Sequence, residues 1–253
     1  MAVLENRHAL ITGGGSGIGA STAAHLAAAG AKCSLLGRRS GPIEQVAGET
    51  SGKAIPCDVT DRKAIEAAYE SARHAHGPIE LLIVNAGIAD SAPFAKLAAD
   101  DWDRIIAVNL TAAFHCAQAA LPDLLEGKDT RIIFVASVAG LRGTPYAAHY
   151  AASKHGLLGL MRSMAKEFAK SPLTVNAICP GYVDTPMTDQ SASRVAAKTG
   201  RSEAESREAI AAFNANGRLV HPDGVATQIF TLCLPQSRDV NGAALVIDGG
   251  SDA

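Results

Sequence analysis

The chain has 253 residues, 47% of them hydrophobic and 19% charged, which is enough for a well-buried core and most simply forms one domain over residues 1–253. A formal net charge of −2 gives no electrostatic basis for nucleic acid or an anionic membrane as partner, and 4% aromatic residues offer no stacking platform for bases. Its five cysteines (Cys33, Cys57, Cys116, Cys179, Cys233) lie scattered in apolar contexts without CxxC spacing. They read as small buried hydrophobes rather than a disulfide framework or zinc site, as in a cytoplasmic protein.

From the N-terminus, Met1–Arg7 lacks the apolar region of a signal peptide, and no later stretch reaches the roughly 18 unbroken apolar residues of a membrane span. Apolar runs predict strands at His8–Thr12, Cys33–Gly37, Ala54–Cys57, Leu81–Asn85, Arg131–Ser137, Thr174–Cys179 and Ala244–Ile247. Helical apolar spacing predicts helices at Gly17–Ala29, Arg62–His74, Trp102–Leu125, Ala147–Ala169 and Pro222–Leu232. Alternation of the two predicts βαβ units around a parallel sheet buried on both faces. One segment breaks the rhythm: residues 186–217, polar from Asp189 onward, follow the sixth strand and contain a capping box, Ser202–Glu205. An insertion beyond the carboxyl end of a strand is placed to act as a substrate lid.

Thr12-Gly-Gly-Gly-Ser-Gly-Ile-Gly19 joins the first strand to the first helix. Glycines there let backbone N–H groups approach a pyrophosphate at the positive helix N-terminus. The spacing is GxxxGxG rather than GxGxxG, and the glycine run permits more than one register. At the end of the second strand, where a carboxylate would bind the ribose hydroxyl of NAD, Gly37 is followed by Arg38 and Arg39. Two guanidinium groups suit a 2′-phosphate, so NADP(H) is expected, with NAD(H) possible; a solvated basic pair opening a helix is the alternative.

Tyr150-Ala-Ala-Ser-Lys154 places a phenol and an ammonium one helical turn apart. The charge is expected to lower the phenol pKa and make Tyr150 an acid or base near neutral pH. By itself this spacing also fits surface and packing residues.

Taken with Asp58, Asn85-Ala-Gly87, Asn109, Ser137 and Pro180-Gly181, these motifs stand in the order of the short-chain dehydrogenase/reductase family, which the chain resembles over essentially its whole length. The resemblance implies an α/β fold, a single-domain Rossmann-like doubly wound parallel sheet of about seven strands flanked by helices, with a small helical lid. It implies a catalytic set of Asn109, Ser137, Tyr150 and Lys154. Tyr150 would handle the proton, Lys154 would hold the nicotinamide ribose, Ser137 would polarise the substrate oxygen, and Asn109 would anchor a water of the proton relay. Gly13, Ser16, Gly17, Ile18 and Gly19 would hold the pyrophosphate, with Asp58 and Val59 beside the adenine and Asn85, Ala86 and Gly87 along the cofactor. Pro180, Gly181, Val183 and Thr185 would meet the nicotinamide. No metal is required. Family relatives pair the helices Trp102–Leu125 and Ala147–Ala169 between subunits, which implies a homotetramer.

Tyr146, which follows Pro145, reads as a pocket wall, His149 and His155 read as packing or interface residues, and Trp102 reads as packing. For Cys179 the sequence supplies no group expected to activate it as a nucleophile. The chain is similar to both 3-oxoacyl thioester reductases and 3-hydroxybutyrate dehydrogenases. At positions where the latter bind a carboxylate stand Ala89, Ala139 and Ala147, which would leave that charge unpaired. Candidate walls Val138, Ala139, Leu141, Tyr146, Tyr182 and Met187 suit a neutral or thioester-linked carbonyl or alcohol. The lid residues Arg194, Lys198, Arg201 and Arg207 are either contacts for coenzyme A or carrier phosphates, or a solvated face balanced by Glu203, Glu205 and Glu208. A 3-oxoacyl thioester is the expected substrate, a cyclic, aromatic or polyketide-like ketone the alternative, and a non-catalytic NADP(H) sensor the remote one.

Overall fold

The structure is a computed structural model and describes residues 2–250. Its elements in chain order are β1 (His8–Thr12), α1 (Gly17–Ala28), β2 (Lys32–Gly37), α2 (Ser40–Thr50), β3 (Lys53–Pro56), α3 (Arg62–His76), β4 (Leu81–Val84) and α4 (Ala99–Ile106). Then come a π-helical turn at Ala107–Thr111, α5 (Ala112–Glu126), β5 (Thr130–Val135), α6 (Ala148–Glu167), β6 (Leu173–Pro180), α7 (Pro186–Thr199), α8 (Glu203–Ala211), α9 (Pro222–Cys233) and β7 (Ala244–Ile247). All seven strands pair in parallel in the order β3-β2-β1-β4-β5-β6-β7. The strand order reverses between β1 and β4, and there a crevice opens beyond the carboxyl ends of the strands.

Successive strand residues serve opposite faces of the sheet. Leu10 joins one core with Ile65, Tyr69, Cys116, Leu157 and Met161 of α3, α5 and α6. Its neighbours Ala9 and Ile11 join the other core, with Leu26, Ile43, Val225 and Ile229 of α1, α2 and α9. Burial on both faces explains why these strands are continuous apolar runs.

Three segments differ from the sequence expectation. Helix α2 has no predicted counterpart: Gly41, Pro42 and Gly48 weaken its pattern, and it buries only Ile43, Val46 and Ala47. The helix expected at Trp102–Leu125 starts at Ala99 and widens into the π turn around Asn109. By length and composition, the run Ala99–Glu126 could cross a membrane. Here Ala113, Cys116, Ala117, Ala120 and Leu124 bury its apolar face in the core. The segment 186–217, expected as a lid, holds two helices, α7 and α8, and the Ser202–Glu205 capping box starts the second.

Candidate active site

The β1–α1 turn sets the floor of the crevice. Gly17 has φ +52°, a left-handed conformation that side chains disfavour, and a Cβ there would stand 2.8 Å from Thr185 Cγ2. A Cβ on Gly19 would overlap the Gly13 carbonyl oxygen. Ser16 is extended at the start of α1 and makes no capping hydrogen bond, and the first turn holds no acidic residue. These N–H groups remain available to an anion. The turn is fixed from behind: Asn85 Nδ2 donates to Thr12 O (3.0 Å) and Gly13 O (3.1 Å), while Thr12 Oγ1 accepts from the N–H groups of Asn85 and Ala86 (both 3.0 Å).

The crevice has a volume of about 370 Å³ and is lined by Gly13, Gly15, Ser16, Gly37, Arg38, Arg39, Pro42, Ile43, Cys57, Asp58, Val59, Ala86, Gly87, Ile88 and Val108. Arg38 and Arg39 are exposed at the end of β2. Asp58 uses Oδ1 to accept from Thr60 N (2.9 Å) and Thr60 Oγ1 (2.7 Å), and these bonds, helped by Arg38, hold its carboxyl below the usual range. Sequence reasoning assigned no role here to Gly15, Pro42, Ile43, Ile88 or Val108. Pro42 and Ile43 come with the unanticipated α2; the continuous glycine run was the available signal for Gly15. Gly17, Ile18, Gly19, Asn85, Tyr150, Lys154, Pro180, Gly181, Val183 and Thr185 do not line this cavity. Ile18 packs on the second core and Val183 is buried, bridged to Val220. Thr185 reaches the α1 terminus beside Gly17.

At the nicotinamide-proximal end expected from the sequence, α6 brings Tyr150 and Lys154 against the end of β5. Ser137 lies just past that strand, hydrogen bonds Tyr150, and accepts from Ala139 N at 3.2 Å. Lys154 Nζ donates to Val135 O at 2.9 Å and sits 5.7 Å from the Tyr150 ring centroid. Asn109 Oδ1 accepts from Ile88 N (2.9 Å), and its Nδ2 donates to Ile88 O (2.9 Å) and Ser153 Oγ (3.1 Å). A Cβ on Gly87 would stand 3.3 Å from Asn109 Oδ1 and 3.7 Å from Lys154 Nζ, so the crevice floor and this cluster meet at Gly87. The π turn presents Asn109 to both the β4 loop and α6.

One expectation is corrected. Lys154 does not bring the Tyr150 pKa toward neutrality; burial pushes it up to about 12, against a smaller downward effect of Ser137. Burial also brings Lys154 down to about 8. The ammonium faces the ring and a backbone carbonyl, so desolvation decides for both groups.

The candidate walls divide. Ala139 is buried behind Ser137, and Val138 is partly buried. Leu141, Met187 and Tyr146 are exposed rather than enclosing. Tyr182 packs on Phe213, with ring centroids 5.6 Å apart, a contact the sequence reading did not foresee. His149 is buried on α6, His155 Nδ1 bonds Ala151 O (2.9 Å), and Trp102 remains half-exposed rather than core. All five cysteines are buried and none forms a disulfide, and among the described residues no group of His, Cys, Asp and Glu could hold a metal.

Three of the four lid cations find partners other than the neighbours expected, whereas Arg201 acts on Glu205, one of those neighbours. Arg207 pairs with Asp184 (2.5 Å) and Asp189 (2.8 Å). Arg194 donates to Ala89 O (3.1 Å) and faces Asp90 (3.7 Å), and Lys198 reaches Ser91 O (3.4 Å). Glu203 accepts from Ser193, and Glu205 closes the capping box. These partners come from folding α7 across the β4 loop and α8 back onto α7, which local sequence balance does not reveal.

A crevice at the switch point that offers backbone N–H groups and two arginines defines a dinucleotide-binding α/β protein. The chain belongs to the short chain dehydrogenase family, whose model matches residues 7–196. It is 34% identical to the 3-oxoacyl-[acyl-carrier-protein] reductase MabA of Mycobacterium bovis, over 97% of this chain and 92% of that one. To the 3-oxoacyl-[acyl-carrier-protein] reductase FabG of Thermotoga maritima it is 34% identical, over 98% of both chains. Among solved structures, an actinorhodin polyketide ketoreductase variant with NADPH superposes with a TM-score of 0.94 at 32% identity, over 99% of each chain. The protein is thus an oxidoreductase of this family.

Proposed function

We propose that the protein is an NADP(H)-dependent ketone reductase, with a 3-oxoacyl thioester as substrate. The observation that carries this is the convergence of Ser137, Tyr150 and Lys154 beside Gly87, which lines the same crevice as Arg38 and Arg39. The reductases of 3-oxoacyl-[acyl-carrier-protein] at 34% identity support the substrate class, and the ketoreductase structure with NADPH supports the cofactor.

The α1 N-terminus and glycine turn receive the pyrophosphate, Arg38 and Arg39 the 2′-phosphate, and Asp58 and Val59 flank the adenine. Pro180, Gly181, Val183 and Thr185 border the nicotinamide position. NADPH, when bound, supplies the hydride. Ser137 orients the carbonyl oxygen and Tyr150 gives it a proton. A Tyr150 pKa of about 12 keeps that proton in place at neutral pH, which favours reduction. Lys154 then stabilises the phenolate, and Asn109 holds the Lys154 segment through Ser153. The pairing of the lid cations within the protein favours a second reading, a neutral cyclic, aromatic or polyketide-like ketone. The same proposal makes the enzyme cytoplasmic and a homotetramer, supported by half-exposed Trp102, Phe114 and Leu125 along α4 and α5.

NADPH oxidation with an acetoacetyl thioester, compared with aryl and cyclic ketones, tests the substrate. Tyr150→Phe should lower turnover by about 100-fold or more while NADPH still binds. A variant with normal turnover refutes the mechanism, whereas a wild-type protein that binds NADPH but turns over no ketone leaves the sensor reading.

A further inference from the structure

Among the described residues, three that are not glycine hold a positive φ: Asn6, Ser51 and Tyr146. Asn6 carries a short polar side chain suited to that region, and Ser51 ends α2 there. Tyr146, at φ +63°, is a bulky aromatic in a conformation that crowds its own Cβ. Burial does not compensate, because the residue is 68% exposed. The conformation is set by a turn with Pro145 before Tyr146, closed by Ala147 N donating to Thr144 O (3.2 Å), and is held from outside by Ala92 N donating to Tyr146 O (2.8 Å). Strain of this kind persists where the surroundings over-determine it, and it concentrates at ligand clamps.

The anchor shows where the ring stands. Ala92 belongs to the β4 loop that the lid also grips, through Arg194 on Ala89 O and Lys198 on Ser91 O. Tyr146 therefore stands at the rim between lid and loop, four residues before Tyr150. The lid contributes a second exposed ring: Phe213 is 67% exposed and tilted against Tyr182. Tyr182 in turn lies close enough to Tyr150 to affect its ionisation. Arg194, Lys198 and Arg207 already have partners in the protein, so this rim offers flat apolar surface rather than free charge.

We infer that Tyr146 is a specificity-determining residue whose ring covers the part of the substrate beyond the reacting carbonyl, selecting ketones that carry an aromatic or alicyclic ring there. This rests on the ketone-reductase reading and narrows its substrate class. Aromatic contact provides discrimination that a short alkyl group cannot, and the strained backbone is retained for that contact.

The test uses two N-acetylcysteamine thioesters with the same handle, acetoacetyl and benzoylacetyl. Wild type should favour the benzoylacetyl probe in kcat/KM. Tyr146→Ala and Tyr146→Asn should reduce that preference by roughly 3- to 10-fold, mainly through KM, and Tyr146→Phe should retain it. Asn tolerates the left-handed region, so Tyr146→Asn should raise Tm by about 2–4 °C over Tyr146→Ala. Equal losses on both probes with turnover intact overturn the selection by Tyr146. A Tm for Tyr146→Asn below that of Tyr146→Ala overturns its strained-backbone premise. A wild-type enzyme that oxidises NADPH with neither probe overturns the ketone-reductase reading, and the selection with it.

Discussion

Lys154 is a buried ammonium whose environment sets a measurable stability penalty. Its pKa of about 8, against an ordinary 10.5, means that keeping it charged in the folded protein costs about 3 kcal/mol. Lys154→Met removes the charge while filling the same volume. It also removes the 2.9 Å hydrogen bond to Val135 O, worth about 1 kcal/mol. At pH 7, without added cofactor, the variant should therefore be more stable by about 2 kcal/mol, although inactive. The sign reverses with pH. Between about 8 and 10.5 the unfolded lysine is still protonated and the folded one is not, so unfolding takes up a proton and wild-type stability rises with pH. The variant lacks that slope, and its advantage should disappear as the pH approaches 10.5. Tyr150 and the buried cysteines titrate in both proteins and largely cancel in the difference. Urea unfolding of both proteins across pH 7–10.5 measures the gap. A gap that does not change with pH, or a variant less stable at pH 7, refutes the reasoning.

Replacing both Arg38 and Arg39 with Ala should lower kcat/KM for NADPH by about 10- to 100-fold and leave NADH much less affected, since charge-assisted hydrogen bonds are worth about 1.5–3 kcal/mol. Steady-state kinetics with the two cofactors reads the ratio. Asn109→Ala strips the partners from Ile88 N–H and C=O and leaves Ser153 Oγ only its bond to Tyr150 O, so it should destabilise the fold by about 2–3 kcal/mol in urea titration as well as slow turnover. Gly19→Ala drives a Cβ into the Gly13 carbonyl and should abolish the rise in Tm that NADPH gives wild type.

What the sequence disclosed depended on the range of each signal. Seven continuous apolar runs located the seven strands, because strands buried on both faces leave little else to read. The α2 segment escaped because glycine and proline dilute it and a single turn of Ile43, Val46 and Ala47 anchors it, yet Pro42 and Ile43 line the crevice. Arg207 looked balanced by the glutamates of its own helix. Its real partners, Asp184 and Asp189, lie 23 and 18 residues away and meet it only once α8 folds back. The family motifs named Tyr150, Lys154, Ser137 and Asn109, and the fold brings the first three together with Asn109 tied to Ser153 between them. Spacing gave the proximity of Tyr150 and Lys154 but not their desolvation, which depends on the ends of β5 and β6 closing over α6. Proximity alone predicts a tyrosine drawn toward neutrality; burial of both groups leaves a protonated tyrosine beside a lysine that titrates near 8. In that state Tyr150 keeps its proton at neutral pH, and under the proposed mechanism it releases it only to an oxygen made basic by the arrival of hydride.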